Sequence, residues 1–141
     1  MTTVDWTRRL DWALLERVFV VLVALHTFAV GAGLFFVSEW ALRFGGWQVI
    51  PPLFFPRQAG IFHFILAIAY LEEHRRWGGV SLIVLAKSFA VVFLVGAALF
   101  ANVPWFVPVA GVGDGLMALV AWLLHRQVRR AAAERVRAAR L

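Results

Sequence analysis

Four stretches of this chain, residues 14–37, 54–72, 78–100 and 104–124, are apolar over lengths that a soluble core seldom needs. About 20 such residues in helical form cross the roughly 30 Å hydrocarbon layer of a bilayer. Inside that layer a free amide or carbonyl finds no partner, so an open chain crosses only as helix. The runs are continuous and lack the period-two alternation of a barrel strand. The sequence therefore predicts an all-α integral membrane four-helix bundle, a single transmembrane domain over 1–141. Composition agrees, with 62% hydrophobic and 16% charged residues, far from the balance of a soluble domain. The first run exceeds the apolar core of about 7–15 residues in a secretory signal, so it reads as a retained anchor.

Charge placement predicts a direction for the bundle. Cytoplasmic loops retain lysine and arginine. Arg8, Arg9, Arg17, Arg75, Arg76, Arg126, Arg129, Arg130, Arg135, Arg137 and Arg140 all flank one side of the four runs, and only Arg43 and Arg57 flank the other. The N-terminus, the 72–77 loop and the C-terminus are thus expected in the cytoplasm, with the 38–53 and 101–103 connections outside. The same distribution explains the net charge of +6: the arginines border apolar runs instead of forming a soluble basic face, so no nucleic-acid partner is expected. The chain holds no cysteine, which excludes disulfides, thiolate metal sites and cysteine nucleophiles.

Three flanking segments carry their own signals. Residues 3–13 mix Trp6 and Trp12 with both charge signs, as a short helix lying on the inner surface would. The alanine- and arginine-rich stretch 125–141 is expected to continue the fourth helix into the anionic headgroup zone, or to bind a partner. The 38–56 connection is longer than a hairpin requires and carries Trp40, Trp47, Pro51, Pro52 and Pro56 around Gly45 and Gly46. It reads either as an aromatic belt at headgroup depth or as a lid over a cavity that opens outward.

The most informative residues are those that hydrocarbon should exclude: His26 in the first span, Arg57 and His63 in the second, Lys87 in the third and Asp114 in the fourth. Each ionisable group at mid-depth costs about 2.5–3.5 kcal/mol on insertion scales, so such groups face protein and pair. At about 1.5 Å per residue, Asp114 below Pro104 and Lys87 above Gly78 reach similar depth. The short 101–103 turn makes their helices antiparallel neighbours, and a Lys87–Asp114 ion pair is predicted. Ala110, Gly111, Asp114, Ala118, Ala121 and His125 recur at three- and four-residue spacing, a small-residue face suited to close helix packing. Ala59, His63, Ala67 and Tyr70 form a similar stripe, and His26 shares a face with Gly33.

His26 and His63 fall at similar depth, which leaves two readings open. They are polar groups that hydrogen-bond across helices or to a small ligand, or they are the axial ligands of a haem. Arg57, next to Gln58, either snorkels to the outer interface or caps a pocket floored by His26, His63, Lys87 and Asp114, where it would grip a carboxylate or a quinone-like oxygen.

At these positions, in Arg57-Gln58-Ala59-Gly60, Ala86-Lys87-Ser88-Phe89-Ala90 and Gly113-Asp114-Gly115, the chain resembles the DoxX-like group of small four-helix bacterial membrane proteins over 14–124. The resemblance implies a compact bundle in the bacterial cytoplasmic membrane and, after the group's namesake, association with an oxidoreductase that passes electrons to quinone. It carries no catalytic residue over.

These readings give the expected function. The first is a non-catalytic subunit or accessory binding module of a larger membrane complex, partnered by other subunits or by copies of itself, with no resident metal or cofactor. The first alternative is an intramembrane site or enzyme for a lipophile such as quinone, built from His26, Arg57, Gln58, His63, Tyr70, Lys87 and Asp114. The second alternative is a bis-histidine haem electron carrier.

Overall fold

The computed structural model describes residues 11–139 and is all-helical over that range. Five helices follow one another: α1 Trp12–Phe36, α2 Ser38–Phe44, α3 Phe54–Trp77, α4 Ser81–Phe100 and α5 Phe106–Ala138. Four of them, α1, α3, α4 and α5, are long and apolar enough to cross a membrane. Of the surface helix expected over 3–13, residues 3–10 lie outside the described residues. At its end, Asp11 Oδ1 accepts the Leu14 amide at 3.1 Å, satisfying a free donor at the start of α1.

The helices associate as two close pairs, α1 with α3 and α4 with α5, joined mainly where α1 meets α5. Consecutive α3 and α4 touch little. Most of the apolar surface faces outward: Phe89, Val92, Phe93 and Leu99 of α4 are each about 70% exposed. That is the distribution expected of a bundle solvated by lipid.

Two packing devices hold the halves of the bundle. Toward the end that carries the arginines, here called the basic end, Val20 and Val23 of α1, Tyr70 of α3, Val80 and Ile83 around the start of α4, and Ala121 of α5 form the buried core. Toward the opposite, aromatic end, α1 and α3 meet through glycine. A Cβ on Gly60 would lie 2.8 Å from the Gly31 carbonyl oxygen, and one on Gly31 would lie 3.0 Å from the Gly60 carbonyl oxygen. Only glycine permits this approach. Phe28, Phe35 and Phe64 pack beside it.

The helix boundaries differ from the expected spans where turn chemistry intervenes. The third span begins at Ser81, because Gly78 is left-handed (φ 60°) and ends α3, the usual glycine stop. Its first turn is capped from a distance, as Glu73 Oε1 and Oε2 accept the Ser81 and Leu82 amides at 3.0 and 2.9 Å. α5 continues unbroken from the fourth span through Ala138. The 38–56 connection contains α2, which hydropathy alone does not reveal. Behind it, Gly46 (φ 93°) brings the chain against Trp105. Trp40, Phe44 and Trp105 then form a chain of ring contacts with centroids 5.5 and 6.0 Å apart.

Candidate functional site

The centre of the bundle is built from α4 and α5. Lys87 is 7% exposed, and its Nζ donates to Asp114 Oδ1 at 2.6 Å. The small residues of α5 make the contact possible: Gly111 and Ala118, one turn to either side of Asp114, are buried and let α4 approach. Each charge removes the other's need for water in a place where water is scarce.

Around this pair the other expected residues are distributed unequally. Tyr70 is 1% exposed and belongs to the core, within electrostatic reach of Asp114. His63 is half-buried, and its Nδ1–H donates to the Ala59 carbonyl at 2.7 Å. The ring is therefore held by its own helix, leaving Nε2 as an acceptor. His26 lies within electrostatic reach of Lys87, Asp114 and His63, but it sits on the exposed side of α1. The inward-facing residues of α1 are Glu16, Val20, Val23, Ala24, Thr27 and Gly31, so the expectation that His26 turns inward is corrected. The inward stripe passes through Thr27, one position on. Arg57 and Gln58, in the first turns of α3, are exposed and remain at the aromatic end, separate from the central pair.

A second polar cluster, unforeseen from sequence, lies at the basic end. Glu16 of α1 is 3% exposed. Its Oε1 accepts from His125 Nδ1 of α5 at 3.2 Å and lies 3.6 Å from His74 Nδ1 of α3. Three helices thus meet on one carboxylate. His74 Nδ1 is also 3.3 Å from the Gly79 carbonyl, so both acceptors place a proton on that nitrogen. Glu16 Oε2 and Thr27 Oγ1 are buried without a hydrogen-bond partner among the described residues.

The cluster escaped sequence reading because Glu16, His74 and His125 lie at the ends of apolar runs, where charged residues are ordinarily solvated. The available signal was Glu16 itself, an acid among basic flanks and at helical spacing with Val20, Val23 and Thr27. Among the described residues no group of three or more His, Cys, Asp or Glu side chains is placed to hold a metal ion.

The chemistry open to these two clusters is ion pairing and proton exchange between histidine, carboxylate and lysine. Compared with known protein families, characterised proteins and solved structures, the chain matches none.

Proposed function

We propose that this chain is a multi-pass protein of the bacterial cytoplasmic membrane, with the basic end in the cytoplasm, and that it acts as a non-catalytic accessory module of a larger membrane complex. Four helices of sufficient length and hydropathy support the membrane reading, and the one-sided arginines support its direction. The observation that carries the module reading is His26. Two polar groups of the centre are satisfied within the chain: Lys87 by Asp114 and His63 by Ala59. His26, fourteen residues into α1 from Trp12, is exposed on the bundle surface at intramembrane depth. A polar ring there needs a covering protein surface, because hydrocarbon offers it nothing. The DoxX-like resemblance points to a quinone-linked complex as the class of partner.

A photo-crosslinking residue at position 26 tests this in native membranes. It is expected to trap a protein neighbour, whereas the same residue at Phe93, 72% exposed on α4, traps lipid. Native mass spectrometry after gentle extraction is expected to show a complex; a lone monomer at every detergent concentration refutes the module. Direction is tested separately by cysteine labelling of intact cells, made simple because the chain has no cysteine of its own. Gln48→Cys is expected to react with an impermeant reagent, and Arg129→Cys is not.

A second reading is favoured by one observation: His26 lies in electrostatic reach of Lys87, Asp114 and His63, and Tyr70 in reach of Asp114, so that groups from all four long helices lie about the central pair. That arrangement suits a lipophile with polar oxygens, such as a quinone. Lipid extraction of the purified protein decides it, and the absence of any stoichiometric lipophile overturns it.

A further inference from the structure

Beyond the central pair and the Glu16 cluster, one surface gathers donors and charge as an anion site would. Trp122, His125, Arg126, Arg129, Arg130 and Ala133 line an open hollow of about 460 Å³ between side chains on one face of α5 at the basic end. The three arginines are exposed. The arginine salt bridges among the described residues are those of Arg43 with Glu39 and of Arg75 and Arg76 with Glu72, so the hollow's guanidinium groups carry no carboxylate partner there. Arg126 is nonetheless held: its Cζ lies 5.4 Å from the centre of the Trp122 ring, a cation–π contact that fixes the side chain while leaving its N–H donors free. His125 forms the wall toward the bundle and is itself held, since its Nδ1 donates to buried Glu16 at 3.2 Å. Through Glu16, the wall is tied to α1 and to His74 of α3.

This differs from a plain positive flank. A flank needs arginines on one side of a span, in any arrangement. Here a fixed imidazole and an indole-held guanidinium converge with two further arginines. Position selects the ligand. Trp122 and Arg126 straddle the end of the fourth apolar run, where indole rings and headgroup phosphates share the interface. A headgroup phosphodiester matches multiple guanidinium donors, and clustered arginines favour the anionic headgroup over the zwitterionic one, whose quaternary ammonium they repel.

We infer that α5 carries a binding site for the phosphate of an anionic phospholipid headgroup, formed by Arg126, Arg129 and Arg130 beside Trp122, with His125 as the wall that ties it to the bundle. The inference rests on the membrane reading above. An occupied site would hold the start of the α5 extension against the bundle through the His125–Glu16 contact, making the extension's orientation sensitive to lipid composition.

The test uses the full chain in phosphatidylcholine nanodiscs, with phosphatidylglycerol titrated in and bound lipid counted by native mass spectrometry. Retention of phosphatidylglycerol over phosphatidylcholine is expected, and roughly 30-fold weaker retention in R126Q/R129Q. The control R135Q/R137Q removes the same charge from exposed positions farther along α5 and is expected to stay within about twofold of the parent. H125Q, which changes no arginine, is expected to weaken retention severalfold. Equal loss in both double variants, or no preference between the two lipids, overturns the site while leaving the membrane reading intact. Displacement of the lipid by inorganic phosphate at about 10 mM, well below the ionic strength that screens the interface, overturns the lipid as its occupant.

Discussion

Replacing Asp114 with asparagine keeps the side chain's shape and removes its charge, leaving Lys87 buried without its anion. Removing one partner of a buried pair costs about 3–5 kcal/mol, and membrane insertion scales price a central charge at about 2.5–3.5 kcal/mol. The Lys87 and Asp114 side chains retain 9% and 15% exposure, a slight access to the surroundings that places the expected loss at the lower end, about 3 kcal/mol. The loss should concentrate in α4. That helix buries only Ile83 and Lys87 and is held chiefly by α5, so an orphaned lysine removes much of its reason to dock. The double variant K87M/D114N replaces the ammonium with an apolar chain of similar length and is expected to recover to within about 1 kcal/mol of the parent, a coupling of at least about 2 kcal/mol, to which the cost of K87M alone adds. Reversible unfolding in mixed detergent micelles, followed through the chain's 7 tryptophans, measures all four corners of the cycle. A cost below about 1 kcal/mol for D114N, or a double variant no more stable than D114N, would refute the argument that the pair holds α4 in place.

Three further outcomes are expected. Gly60→Leu forces a side chain into the Gly31 carbonyl, 2.8 Å from its Cβ, and should cost about 1–3 kcal/mol; Gly113→Ala, where a Cβ meets nothing within 4 Å, should be neutral or stabilising in the same unfolding assay. Glu73→Ala removes the acceptor shared by the Ser81 and Leu82 amides, for an expected cost of about 0.5–2 kcal/mol, with faster hydrogen exchange at the first turn of α4 as its local signature. Glu16→Gln keeps the size of the side chain but weakens acceptance from His125 and His74, so double electron–electron resonance between labels on α1 and the 126–138 extension should show a broadened distance distribution; an unchanged distribution would sink the view that Glu16 ties the three helices together.

The four long helices were legible because the constraint behind them is local: an apolar run of sufficient length has one hydrogen-bonded solution in lipid, whatever its neighbours do. The contact between Lys87 and Asp114 was legible for a related reason. A three-residue turn makes two helices antiparallel, and helical rise then sets which residues share a level. The orientation of His26 was not legible. One position around a helix is about 100°, and the choice between Thr27 and His26 as the inward residue depends on where α3 and α5 lie. Helix α2 was hidden by its shortness, and the pairing of Gly31 with Gly60 by the absence of any side chain to betray it.

The chain's own residues determined that it forms long apolar helices, which turns separate them, and which end of the bundle carries the positive charge. These follow from hydrogen bonding and charge along a single segment. Only the tertiary structure decided that α1 pairs with α3 and α4 with α5, that Glu16, His74 and His125 meet at one buried carboxylate, and that His26 stays exposed beside the inward stripe of α1. Such contacts join residues as far apart as Glu16 and His125. They depend on the rotation of each helix about its axis, which is set by small-residue approaches and buried ion pairs between helices, quantities that no single segment contains.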